Sequence, residues 1–430
     1  MALLLAGRGG VAARLKPLLE PLFGGDLPIR VRAWDGSETG PSDGPAVVIA
    51  HRRALRRLLW QPDELGLAQA FVTGELDVDG DLAVGLARIW SAARERDLHI
   101  GRPPLRDLVR AAVTAVRLGA VGLKPRAPAS QARLTGRLHS LLRDRAAISH
   151  HYDLSNEFYA LLLDDHMAYS SAYWVDPDGS LEDAQEQKLA MVCRKVGLTP
   201  GMRFLDVGCG WGSLSLYAAE HVGAQVVGVT LSGRQKSFID ARIAERGLED
   251  RVEIRLQDYR EVHDGPFDAI ASIEMGEHVG QDNYPTYVGQ LHRLVRDGGR
   301  VLIQQMSRGD RFPGGGPFIE SFIAPDMYMR PVGETVAFVE RAGLEVRDVH
   351  AMREHYVRTV EAWLTRFEDN LATAVDLVGE EVTRVWRLYL VGGLLTFREG
   401  RMGVDQILAV KRRADGTSGF PAVRSDAVTG

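Results

Sequence analysis

Two cysteines, Cys193 and Cys209, are all that the 430 residues contain, and their spacing matches no metal motif. That excludes a disulfide framework and a cysteine zinc site, so no metal is expected. Long apolar runs are also missing. None approaches the ~18 residues of a spanning helix, and the opening MALLLAGRGG is too short in its apolar part for a signal peptide. A cytoplasmic chain is expected. Aromatic residues are scarce from Ser91 to His150, with Trp90 at the edge, although this stretch holds 12 Lys and Arg against 4 Asp and Glu in a chain of net charge −5. A basic block without stacking rings argues against nucleic acid. It suits an anionic lipid surface, with a solvated linker carrying helical arginines as the plain alternative.

What is present reads as two domains. An apolar share of 45% with 25% charged residues is ordinary for a globular protein. Residues 1–122 mix short strands, PAVVIA (45–50) among them, with a helical stretch from Pro62, as in a small α+β domain. Residues 123–147 are rich in Pro, Ala, Ser and Arg and read as a linker. From 148 to 411, five apolar strands alternate with helical patterns: MRFLDVG, QVVGVTLS, VEIRLQD, FDAIASIE and RVLIQQMS. That alternation specifies an α/β fold with a doubly wound parallel sheet. The tail, 412–430, has no periodicity and reads as mobile.

FLDVGCGWGSLSLYAAEHVGAQVVGVTLS (204–232) runs strand, glycine loop, helix, strand. Asp206 closes the first strand, and Gly208, Gly210 and Gly212 let the backbone approach a ligand at a helix N-terminus. A dinucleotide site spaces its glycines G-x-G-x-x-G and carries an acid about 20 residues on. Here the spacing is G-x-G-x-G, and the second strand ends Thr230-Leu231-Ser232. Asp206 fits a ligand bearing an amino group, and Asp258 after the third strand is placed to accept from an adenine amine. Together these favour S-adenosylmethionine over NAD. The bland reading is a glycine-rich turn that binds nothing.

The chain resembles the cyclopropane-fatty-acyl-phospholipid synthases and related lipid methyltransferases. The likeness is carried by SHHYDLSNEFYALLLDDHMAYSSAYW (149–174), LDVGCGWGSL (205–214), VVGVTLSGRQ (226–235), QDYREV (257–262), SIEMGEHVGQDNYPTY (272–287) and HYVRTVEAWLTRF (355–367). The resemblance implies a Rossmann-like methyltransferase sheet. It also implies a cofactor pocket lined by Tyr169, Ser170, Asp206, Gly208, Cys209, Gly210, Trp211, Gly212, Thr230, Leu231, Gln235, Asp258 and Tyr259. It implies action on cis double bonds of acyl chains in membrane phospholipid. A front domain that serves membrane engagement and association would make the protein a homo-oligomer, such as a dimer, peripheral at the inner face of the membrane.

Methylating an alkene leaves a cation on the acyl chain, which aromatic faces and carboxylates stabilise before a base takes a proton. The aromatic candidates are Tyr169, Tyr173, Trp174, Phe318, Phe322, Tyr356 and Trp363, with core packing the better reading for Phe322 and Trp363. Glu274 and Glu277 lie three apart beyond a strand, and His278 beside them is as readily structural as catalytic. Similar synthases bind bicarbonate as the base through a Cys, a Glu, a His, a branched apolar residue and a Tyr. Glu277 and Tyr356 match, whereas Ser171, Gln304 and Met306 replace the other three. Glu274 stands where many synthases have glycine. Losing an imidazole and gaining an anion disfavours bicarbonate, so the base is expected to be Glu274 or Glu277. SIEM followed by a second Glu looks like the tuberculostearic-type branch. That branch makes a 10-methylene chain, which a separate reductase converts to a methyl branch. Ring closure, or methylation of a soluble small molecule, are the alternatives.

Overall fold

The computed structural model describes residues 10–97, 105–132, 154–309 and 314–423. Most of the 123–147 linker, part of the basic block and the start of the 149–174 motif lie outside the described residues. The chain forms two units. One comprises residues 1–131 with 379–395, the other 132–378 with 396–430.

In the first unit, strands β1 (Arg30–Ala33), β2 (Glu38–Thr39), β3 (Ala46–Ile49) and β4 (Leu76–Asp79) form a sheet of order β2-β1-β3-β4. β1 and β3 run parallel and the other pairs antiparallel. Helix Val11–Leu19 packs Val11, Ala12 and Leu15 against Val31, Ala33 and Ile49. The sequence places residues 379–395 with the later domain, but they group with this unit. The helical stretch Leu371–Arg398 breaks at Gly379 (φ 81°). Beyond the break, Arg384 donates to the carbonyls of Phe71 (2.6 Å) and Leu76 (3.0 Å) and pairs with Asp77.

In the second unit, seven strands of the described residues form one sheet: β5 (Arg203–Val207), β6 (Gln225–Thr230), β7 (Val252–Leu256), β8 (Phe267–Ile273), β9 (Val295–Arg308), β10 (Leu344–Ala351) and β11 (Met402–Lys411). The order is β10-β11-β9-β8-β5-β6-β7. The five strands expected from the sequence are β5 to β9, all parallel. β10 and β11 add an antiparallel edge, with β11 lying between β9 and β10. Helices cover both faces, so alternate side chains are buried in both directions. Phe204, Val226, Ala269 and Leu302 enter one core, while Leu205, Val227, Ile270 and Val301 enter the other.

Local chemistry sets the starts of two helices of this unit. Ser180 and Asp183 form a reciprocal capping box on helix Leu181–Lys195. The Ser232 hydroxyl caps helix Gly233–Arg246 through Gln235 N–H. The tail is not mobile throughout, for Phe420 lies between the guanidiniums of Arg300 (4.6 Å) and Arg347 (5.0 Å).

Candidate active site

The parallel strands end on one side of the sheet, and a cleft opens over their C-terminal ends. Twelve of the thirteen residues assigned above to the cofactor line it, from Tyr169 and Ser170 through Asp206, Gly208, Cys209, Gly210 and Trp211 to Thr230, Leu231, Gln235, Asp258 and Tyr259. Gly212 is the exception and a correction. It is the left-handed N-cap of helix Ser213–Tyr217 (φ 83°), and a Cβ there would stand 2.8 Å from Ile239 Cγ2. Its smallness serves helix packing rather than a ligand. Gly210 is different. It is also left-handed (φ 55°) and lines the cleft, yet nothing lies within 4 Å of where its Cβ would be. This is an open cradle that any side chain would fill.

Around the cradle the polar groups are buried and ordered. Asp206 is 2% exposed, accepts from Ser215 Oγ at 2.7 Å, and is pushed up to about 6 by burial. At the end of β6, Thr230 Oγ1 donates to Gln235 Oε1 (2.7 Å) and accepts from Ser232 N–H, so hydroxyls and an amide replace the acid of a dinucleotide site. The Asp258 carboxylate is already held by Arg260, through its N–H and Nε on Oδ1 and through NH2 on Oδ2. Asp258 therefore keeps at most a spare lone pair for an adenine amine.

A second cluster sits at the end of β8. Glu274 lines the cleft and accepts three hydrogen bonds: from Ser171 N–H (2.8 Å) and Gln304 Nε2 (2.9 Å) on Oε1, and from the Tyr356 hydroxyl (2.7 Å) on Oε2. Three of the positions expected to hold bicarbonate thus grip a carboxylate of the chain itself. Ser171 acts through its backbone, since its hydroxyl donates to Ala172 O. Glu274 has φ 51°, a left-handed conformation that costs about 1–2 kcal/mol for a residue with a Cβ. Its N–H donates to Gln304 O at 2.6 Å, so the surrounding bonds hold the strained backbone in place. A glycine would take that conformation without strain.

Glu277 lies in the turn Gly276–His278, fully buried, and both its carboxylate oxygens lack a hydrogen-bond partner among the described residues. Burial, and then the charge of Glu274, push it up to about 8. Burial also raises Glu274, but its three donors and Lys188 pull the other way. The two environments separate the roles. Burial raises both above the ordinary glutamate range, and the three donors on Glu274 favour its charged form over that of Glu277. His278 lines the cleft beside them.

Sequence reasoning missed two residues. Lys188 is 1% exposed, lines the cleft and donates to Ser170 Oγ at 3.0 Å, with Asp164, Glu274 and Asp206 as its surrounding charges. Gln406 on β11 faces Gln304 on β9 in register and donates to its Oε1 at 2.9 Å, which turns Gln304 Nε2 toward Glu274. Trp363 is 1% exposed, as core packing requires. It also touches both Tyr169 (5.3 Å between ring centroids) and Tyr356 (5.9 Å), linking cofactor wall and acid cluster. Phe318 and Phe322 pair with each other at 5.6 Å.

Residues 139–407 match the family model described as mycolic acid cyclopropane synthetase. A probable fatty acid methyltransferase of Pseudomonas putida is 37% identical over 96% of this chain and 99% of its own length. The tuberculostearic acid methyltransferase UfaA1 of Mycobacterium tuberculosis is 32% identical over 88% of this chain and 87% of its own. The structure of the mycolic acid cyclopropane synthase CmaA1 complexed with SAH and CTAB aligns with a TM-score of 0.59 at 31% identity, over 62% of this chain and 97% of that one.

Proposed function

This chain belongs to the mycolic acid cyclopropane synthetase family, and from that premise we propose that it methylates the cis double bond of an oleoyl-type phospholipid chain to give a 10-methylene branch. It is an S-adenosylmethionine-dependent methyltransferase of unsaturated lipid chains. The observation that carries the finer reading is Glu274, held by Ser171, Gln304 and Tyr356.

The residues present fit the cofactor. The open cradle at Gly210 admits a nucleoside against the backbone, and the buried carboxylate of Asp206 suits a cationic ligand. S-adenosylmethionine supplies an electrophilic methyl group. Lys188 fixes Ser170, and the Thr230–Gln235 pair presents polar groups at the end of β6. Once the alkene has been methylated, the positive charge lies on the acyl chain. The ring of Tyr356 and the Glu274 carboxylate are placed to stabilise it. Glu274 Oε1 or Oε2 then takes one proton from the transferred methyl group. If a hydride first moves from the methylated carbon to its neighbour, that proton loss leaves an exomethylene branch, C=CH2, on the open chain. Proton loss before any hydride shift closes the ring instead.

Two relatives that match nearly the whole chain bear methyltransferase names, which supports the branched product. Reduction of the methylene branch would be the work of a separate reductase. A phospholipid membrane surface is the proposed partner, with the chain peripheral to it. The test is incubation with methyl-labelled S-adenosylmethionine and oleoyl-phospholipid vesicles, followed by mass spectrometry and proton NMR of the released fatty acids. Vinylidene protons on a labelled carbon are expected. Ring protons would show a cyclopropane synthase, and label only in water-soluble products would show a small-molecule methyltransferase.

A further inference from the structure

The first unit contains a separate open pocket, lined by His51, Arg53, Arg56, Arg57, Glu75 and Arg126 among others. Its charges do not cancel. Arg57, 4% exposed, forms a two-pronged pair with Glu75 at 3.0 and 3.1 Å, which uses up that carboxylate. No carboxylate among the described residues pairs with Arg53, Arg56 or Arg126. Other arginines of the same unit do find acids, Arg32 with Asp79 at 2.7 Å and Arg88 with Asp43 at 3.0 Å. Unpaired guanidiniums gathered around one pocket call for an anion from outside. His51 adds a donor. Its Nδ1 accepts from Arg53 N–H at 3.0 Å, so the neutral ring keeps its proton on Nε2.

The rim shows which anion fits. Arg56 Nε donates to Ala120 O (3.1 Å) and Trp60 Nε1 to Gly122 O (3.0 Å), binding the 120–123 turn to helix Arg53–Trp60. A Cβ at Gly122 would stand 2.7 Å from Arg56 Cζ, so a larger residue there would displace that guanidinium. The turn and helix end then present Trp60 (54% exposed), Val121 (54%) and Leu123 (89%) to solvent, with Lys124 also exposed. A tryptophan and two aliphatic residues beside a cluster of arginines match the boundary between headgroup and acyl layers of a bilayer. A free phosphate would have no use for the apolar rim, and a nucleic acid would want more stacking rings.

We propose that this pocket binds the phosphodiester headgroup of an anionic membrane phospholipid, with Trp60, Val121 and Leu123 entering the headgroup layer. The proposal rests on the membrane-lipid reading of the substrate, but its test does not need turnover. Vesicle flotation of the full chain compares phosphatidylglycerol with phosphatidylcholine vesicles. The double variant Arg53→Ala/Arg126→Ala is expected to lose roughly 30-fold in affinity for phosphatidylglycerol and little for phosphatidylcholine. Leu123→Ser is expected to weaken binding to both. Affinity for S-adenosylhomocysteine should be unchanged in every variant, confirming that each is folded. Parent-like binding of the double variant to phosphatidylglycerol overturns the site. Release of the parent from those vesicles by millimolar inorganic phosphate, at constant ionic strength, would identify a free-phosphate site and overturn the lipid assignment. Flotation is read without catalysis, so a failed methyl-transfer assay leaves this result standing, and the reverse holds too.

Discussion

Glu274→Gln is expected to lower methyl transfer by roughly 10²- to 10⁴-fold, the usual contribution of a positioned general base. Affinity for S-adenosylhomocysteine should stay close to that of the parent. The substitution keeps the shape of the side chain and an acceptor for Ser171 N–H or the Tyr356 hydroxyl, but removes the charge that takes the proton. Glu277→Gln should cost far less. Glu277 is pushed up to about 8 by burial and by Glu274, so at neutral pH it is already a neutral group. The parent should also show an acidic limb in its pH profile. Burial raises Glu274 above the ordinary glutamate range, and the base is lost as the pH falls through that raised value. Single-turnover rates across pH for the parent and both variants check all three expectations. A Glu277→Gln loss as large as that of Glu274→Gln would reassign the base.

Gly210→Val is expected to abolish cofactor binding, with an affinity loss of about 100-fold or more from steric overlap alone. Two effects act together. The position is left-handed at φ 55°, where a β-branched residue is strained. The space its side chain would enter is the open floor of the cleft. Because nothing of the protein stands within 4 Å of that Cβ, the fold itself should survive. Titration calorimetry with S-adenosylhomocysteine, together with thermal unfolding, separates lost binding from lost folding. Near-normal affinity would mean that the loop faces some other ligand. Gly212→Ala should behave oppositely, disturbing the packing against Ile239 and so lowering stability first.

Much of this site is local in sequence and therefore readable there. The loop from Asp206 to Trp211 joins one strand to the following helix, so its residue order alone sets it at the end of the sheet. The pair Glu274 and Glu277 was placed beyond β8 in the same way. What sequence order could not supply is register and depth. Gln406 matters only because β11 returns antiparallel beside β9 and sets it opposite Gln304, some 100 residues away in sequence. Lys188 looks like a surface residue of an amphipathic helix until the helix is seen to bury it under Ser170. Gly212 and Gly210 read alike in the motif, and only their neighbours tell them apart: Ile239 for the first, open space for the second. Gly379–Leu395 joins the first unit through contacts of Arg384 with Phe71, Leu76 and Asp77, pairings no local pattern announces.

The glutamate at position 274 couples these observations. In a left-handed backbone, held by Ser171, Gln304 and Tyr356, it places a tethered carboxylate where similar enzymes are expected to hold a diffusible one. A tethered base needs no ion from solution, and its charge repels a second anion.

Bicarbonate dependence is therefore the most direct measure. Initial rates of methyl transfer to oleoyl-phospholipid vesicles would be compared in carbon-dioxide-free buffer and in the same buffer with bicarbonate restored. The parent is expected to turn over equally fast in both. A parent rate that collapses on depletion and returns with the added ion would contradict the assignment of Glu274 as the base.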